Sequence, residues 1–148
     1  MRNLKRTLSL VLASAMLVGM MVTGASAVSG DFNDSDEITN TEAVDVMTAI
    51  GVFEGTDKGD FNPTGILTRE QAAKIIAYML LGKSKADSLK CTVAPFDDVA
   101  ASRWSAGYIA FCVEQGIIDG MTATTYEPTG TLTGFQWAKM LLCAIGFG

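Results

Sequence analysis

The 148-residue sequence contains no histidine, only three prolines and only three cysteines, and each scarcity closes a class of function. Without histidine there is no imidazole base, no histidine-dependent triad and no histidine-bearing metal site. Cys91, Cys112 and Cys143 lie far apart in sequence and form no Cys-x-x-Cys pair, so a zinc site is not expected. No glycine-rich phosphate loop runs into Lys-Ser or Lys-Thr, and no nucleophile elbow is present. Adjacent carboxylates such as Asp97-Asp98 do not by themselves make a catalytic geometry. The acidic run Asp31 to Glu37 lacks the mid-loop glycine and distal glutamate of a calcium-binding loop. The chain therefore reads as a non-enzyme without metal or cofactor.

Basic residues are also few, 11 Lys and Arg against 16 Asp and Glu, for a net charge of −5. Phosphate neutralisation needs clustered cations, so nucleic acid is not an expected partner. Only one long apolar run occurs, Leu8 to Val22, behind Arg2, Lys5 and Arg6 and ahead of Ala25-Ser26-Ala27. That order is an export signal, and cleavage after Ala27 is expected. Removing residues 1–27 takes away three positive charges and moves the net charge from −5 to −8. An exported chain that contacts no membrane after cleavage is the expectation. Buried free thiols are favoured for its odd cysteine count, with a Cys112–Cys143 bridge as the alternative.

What is present is a repeat. Gly51 to Lys74 returns as Gly116 to Lys139, an offset of 65 residues with ten of 24 positions identical. A unit of that size buries its apolar face only against neighbours. Each copy opens on an aromatic-acidic motif, Phe32-Asn33-Asp34 and Phe96-Asp97-Asp98. Helical patterns follow over Thr41 to Ile50 and Ser105 to Gln115, with Ala43, Val44, Met47 and Ile50 on one face. Gly51 and Gly116 stand where left-handed closing residues belong. A long loop then reaches Phe61-Asn62-Pro63 or Tyr126-Glu127-Pro128. Capping boxes Thr68-x-x-Gln71 and Thr133-x-x-Gln136 open second helices running to about Leu81 and Ile145. Ala72, Ile76, Met79 and Leu80 mark one apolar stripe; Trp137, Leu141, Ala144 and Ile145 mark the other. The expected fold is all-α, tandem helix–long loop–helix units in one helical domain. Repeat 1 covers residues 28–82, a polar linker or partly ordered crossover 83–95, and repeat 2 residues 96–148.

These ordered motifs resemble the S-layer homology domain family. The second copy carries the resemblance through Phe96-Asp97-Asp98-Val99, Trp104-Ser105, Gly116 to Gly120 and Tyr126-Glu127-Pro128. The first carries it through Phe32-Asn33-Asp34, Gly51 to Gly55, Phe61-Asn62-Pro63 and Leu67 to Gln71. The resemblance implies a protein of the bacterial cell surface, held noncovalently by secondary cell-wall polysaccharide associated with peptidoglycan, often pyruvylated. It implies Arg69 as the cation for that anion, with Glu70, Trp104, Gly55, Gly120, Asp34 and Asp98 shaping the groove. Other readings remain open at these positions. Arg69 also fits an exposed first-turn residue paired with a carboxylate, and Trp104 fits burial between helices. Asp34 and Asp98 also fit a structural role in capping or holding the first helix. Copy two departs from the pattern, because Gly134-Phe135 replaces Arg69-Glu70. That exchange of charge for an apolar contact suggests a second function, pairing with other such repeats or with itself.

Overall fold

Short apolar stripes interrupted by glycine give short helices, and the computed structural model shows five of them over the described residues 28–147. The export signal at 1–27 lies outside the described residues. The helices are α1 (Thr41–Ala49), α2 (Arg69–Leu81), α3 (Lys83–Asp87), α4 (Ala106–Glu114) and α5 (Gly134–Ala144). Two 3₁₀ turns, Ser29–Asp31 and Ser35–Glu37, precede α1. Among the described residues there is no sheet, only isolated antiparallel bridges at Thr68–Thr131 and Phe96–Val99. None of the described helices is long and apolar enough to cross a membrane.

The local signals act where the sequence places them. Gly51 and Gly116 end the first helices at φ +75° and +67°, in the left-handed region that favours glycine. Beyond them, Val52 N–H donates to Met47 O at 2.8 Å and Ile117 N–H to Cys112 O at 2.9 Å. Both capping boxes form, with Gln71 N–H donating to the Thr68 hydroxyl and Gln136 N–H to the Thr133 hydroxyl.

Helix α2 is the centre of the molecule. Its Ala72, Ala73 and Ile76 join Val99, Ala106, Ile109, Cys112, Ile117, Ile118, Tyr126 and Met140 in the main core. Fully buried isoleucines such as Ile76 and Ile109 each contribute about 1.5–3 kcal/mol. The core thus joins the second helix of repeat 1 to the first helix of repeat 2, and the two repeats share one interior. A second cluster of Val52, Ala77, Tyr78 and Ala86 seats α3, and a third of Phe32, Ile38 and Val44 lies under α1.

The segment 83–95 contains the short helix α3, with Ala86 fully buried. Lys83 bonds Glu54 at 2.7 Å and Asp87 at 3.0 Å, and Asp87 also accepts from the Tyr78 hydroxyl. The stripe on α2 is rotated, because Ala73, Ala77 and Tyr78 face inward while Met79 and Leu80 are exposed. On α1, Val44 is buried and Met47 half-buried, but Ala43 and Ile50 face outward; Ile145 at the end of α5 is exposed as well. Periodicity locates an apolar face only to within a residue or so. Which side is covered depends on the neighbouring repeat. All three cysteines are free, Cys112 buried and Cys91 and Cys143 half-buried.

Candidate functional site

The aromatic-acidic motifs close the long loops rather than the first helices. Asp34 accepts from the backbone N–H groups of Phe61 and Asn62, both at 2.7 Å. Asp98 does the same for Tyr126 at 2.9 Å and Glu127 at 2.7 Å. Asn62 and Glu127 sit at φ 60° and 59°, a costly backbone for side-chain-bearing residues that the carboxylate clamp holds. The helix N-caps Asn40 and Ser105 make no side-chain cap bond, so Asp34 and Asp98 are structural in a way the sequence did not indicate. The Phe61 N–H holds the Asp34 carboxyl below its ordinary value. Partial burial pushes Asp98 up, but its two backbone donors outweigh that and leave it lowered.

Gly55 and Gly120 serve the same closure. A Cβ on Gly55 would stand 2.6 Å from the Phe32 ring and 2.9 Å from Asp60 O. On Gly120 it would stand 2.2 Å from Thr122 O and 2.8 Å from the Phe96 ring. The missing side chains make room for each motif's own phenylalanine under its loop.

The junction of the repeats is built on Arg69 and Glu70 in the first turn of α2. The backbone N–H of Arg69 donates to Gly130 O at 3.0 Å and that of Glu70 to Pro128 O at 2.9 Å. The Arg69 guanidinium lies over the Tyr126 ring, 4.5 Å from its centre. Its Nε donates to Tyr126 O at 2.7 Å and Nη2 to Asp119 O at 3.2 Å, while the Tyr126 hydroxyl returns a bond to Arg69 O at 2.8 Å. Arg69 is only 8% exposed, so the exposed-residue reading is overturned. Nor is it paired with a carboxylate: among the described residues, salt bridges join Lys74, Lys83, Arg103 and Lys139 to acids, and none involves Arg69. Among the described residues, the Arg69 Nη1 group makes no hydrogen bond to protein.

Glu70 is buried and accepts from Arg103 Nε at 2.8 Å and Nη2 at 2.9 Å, and from the Ser105 hydroxyl at 2.6 Å. Burial pushes its carboxyl up, and these donors bring it below its ordinary value. This bidentate pair ties α2 to the entry of α4. Arg103 and Tyr126 escaped the sequence reading as site residues. Arg103 falls where the copies differ by an insertion, and the Tyr126 hydroxyl is the one atom that distinguishes that ring from Phe61.

Trp104 is 55% exposed rather than packed between helices. It meets Tyr108 edge-on at 6.3 Å and lines a cleft of about 270 Å³ with Asp87, Lys90, Cys91 and Arg103. A separate cavity of about 400 Å³ lies over the first loop, lined by Gly55, Phe61, Pro63, Lys74 and Trp137. Trp137 is half-buried: it packs against the main core and also walls this cavity. The structure brings Arg69, Glu70 and the Asp98-held loop together, whereas Trp104 and Gly55 face two other cavities.

Comparison with known proteins agrees with this architecture. The family profile of the S-layer homology domain matches residues 31–73 and 95–138. The surface-layer 125 kDa protein of Lysinibacillus sphaericus is 34% identical over 133 residues, covering 88% of this chain and 11% of that protein. The S-layer protein sap of Bacillus anthracis is 26% identical over 139 residues, 93% of this chain and 16% of that one. Exoglucanase XynX of Acetivibrio thermocellus is 27% identical over 133 residues, 86% of this chain and 12% of that enzyme. The chain spans less than a fifth of the length of each of these relatives. No solved structure matches it.

Proposed function

The chain belongs to the S-layer homology domain family, and from that premise we propose that it is a noncovalent anchor for anionic cell-wall polysaccharide. At the coarser level it is a bacterial cell-surface module, non-catalytic in itself although enzymes such as the exoglucanase carry similar segments. Secondary polysaccharide associated with peptidoglycan, with pyruvyl or other acidic substituents, is the proposed ligand.

One observation carries the proposal: Arg69 is a nearly buried cation that meets no carboxylate among the described residues. A charge removed from water is costly unless an ion of opposite sign or strong acceptors replace its hydration. Two carbonyls and a ring face hold the guanidinium in place and leave Nη1 for an external anion. A sugar carboxylate there would make a charge-assisted bond beside the N-terminus of α2, where the helix dipole also favours negative charge. Asp34, Asp98, Gly55, Gly120 and Glu70 act in this reading by fixing the loops and the junction. In this reading Trp104, exposed at the cleft it shares with Arg103, would cover the apolar face of a sugar ring.

The test is cosedimentation of residues 28–148 with purified sacculi, before and after acid extraction of their attached polysaccharide. Binding is expected only before extraction. Arg69→Lys is expected to weaken it at least tenfold while keeping the native helical spectrum. Equal binding to extracted sacculi, or full binding by a folded Arg69→Lys protein, would overturn the proposal. A second reading, assembly with other repeats or with itself, is favoured by Phe135, which is 83% exposed.

A further inference from the structure

The sequence contains a single Asp-Gly step, Asp119-Gly120, and it lies against Arg69. Its backbone has fixed duties. Gly120 must be glycine, because a Cβ would stand 2.2 Å from Thr122 O. The Asp119 carbonyl accepts from Arg69 Nη2 at 3.2 Å. The Asp119 carboxylate shares none of these duties. It is 82% exposed and, among the described residues, bonds only Lys139, at 3.2 Å. The Gly120 N–H makes no hydrogen bond among the described residues. A loosely held carboxyl group thus stands one residue before an unbonded N–H that no side chain shields, the pair that closes a five-membered imide. Arg69 assists the closure: a donor on a peptide oxygen draws electron density from the adjoining nitrogen through amide resonance and makes its N–H more acidic.

We propose that Asp119 is a site of spontaneous isoaspartyl rearrangement, and that the new carboxylate captures Arg69. The Gly120 nitrogen bonds to Asp119 Cγ; its proton and one carboxyl oxygen, with a proton taken from solvent, leave as water. Water then adds at the former main-chain carbonyl carbon and breaks the bond from that carbon to the Gly120 nitrogen. The nitrogen keeps one proton of this water and the other returns to solvent. The main chain now runs through the aspartate side chain, one carbon longer, with mass and net charge unchanged. The oxygen that accepted from Arg69 has become part of a carboxylate. The nearly buried guanidinium gains an internal counter-ion, a charge-assisted pair in place of a bond to a neutral carbonyl.

The other repeat is the contrast. Its counterpart step is Glu54-Gly55, where closure needs a six-membered ring and where Lys74 and Lys83 hold the carboxylate at 2.9 and 2.7 Å. The effect of rearrangement on wall binding rests on the anchor reading; the rearrangement itself and the capture of Arg69 do not.

Residues 28–148 held for weeks in warm, neutral, non-denaturing buffer supply the test. Peptide mapping with an isoaspartyl methyltransferase is expected to find isoaspartate mainly at position 119, severalfold above Asp34-Ser35 and Asp87-Ser88, and none there in Asp119→Glu. In the isoaspartyl fraction, separated by ion exchange, the Arg69 guanidinium protons should shift downfield in the NMR spectrum. Binding of that fraction to unextracted sacculi should fall at least about tenfold. No isoaspartate at 119, or no more than at Asp87, would overturn the proposal. So would an isoaspartyl protein whose Arg69 resonances match those of the fresh chain. Fresh protein that fails to bind sacculi would sink the anchor reading alone, because the resonances report capture without it. Undiminished binding by a fraction with shifted resonances would instead remove Arg69 from the anchor.

Discussion

The first turns of α2 and α5 start from the same capping box and reach opposite ends. Thr68-Arg69-Glu70 is inserted into the other repeat: two backbone N–H groups, a guanidinium and a carboxylate all find partners there. Thr133-Gly134-Phe135 stands in the open, with nothing within 4 Å of the position a Gly134 Cβ would take. The helix signal is local and was kept in both. The content of the first turn follows what lies opposite: repeat 2 faces Arg69 and Glu70, whereas Phe135 is exposed.

The largest test of that contrast is Glu70→Ala against Phe135→Ala. The first leaves Arg103 and Ser105 without their acceptor and is expected to cost about 3 kcal/mol in urea denaturation. The second is expected to stay within about 0.5 kcal/mol for the monomer, as exposed substitutions usually do. Comparable losses at both positions would mean that the two turns are equally engaged.

Tyr126→Phe is expected to cost about 1–2 kcal/mol, because the Arg69 carbonyl loses its buried donor. Phe61→Tyr, in the half-buried counterpart, should be close to neutral. Smaller still is Gly134→Ala, expected to raise stability by about 0.5 kcal/mol by improving helix propensity in open space. A loss there would show that the turn is not free.

The acid limb is the smallest effect and should be shared by both repeats. Asp34 and Asp98 are held below their ordinary values in the folded chain, so the stability they contribute is present above about pH 4 and is lost as pH falls further. Asp34→Asn should remove only part of that dependence, read as a shallower decline of the melting temperature between pH 4 and pH 2.

Much of the fold was legible in the sequence: the period, the glycine closures and the two capping boxes all lie in local spacing. The interior was less so. Of the stripe Ala72, Ile76, Met79 and Leu80 on α2, the first two are fully buried and the last two exposed, while the small residues Ala73 and Ala77 are buried in their place. Hydrophobic scales undervalue alanine at such positions. Arg69 was singled out from its motif, but its burial was not legible, since carbonyl acceptors carry no side-chain signature. Arg103 was invisible because its role depends on Glu70, 33 residues earlier.

The buried thiol of Cys112 has a consequence for how the chain matures. Its S–H donates to Ala73 O at 3.6 Å, and burial pushes the thiol up to about 12. Thiolate is the species that attacks disulfides and oxidants, so at neutral pH the folded protein holds almost none at this position. Packing thus withdraws one of three cysteines from exchange chemistry. An odd count that would otherwise promote scrambled linkages leaves only Cys91 and Cys143 to react once folding is complete.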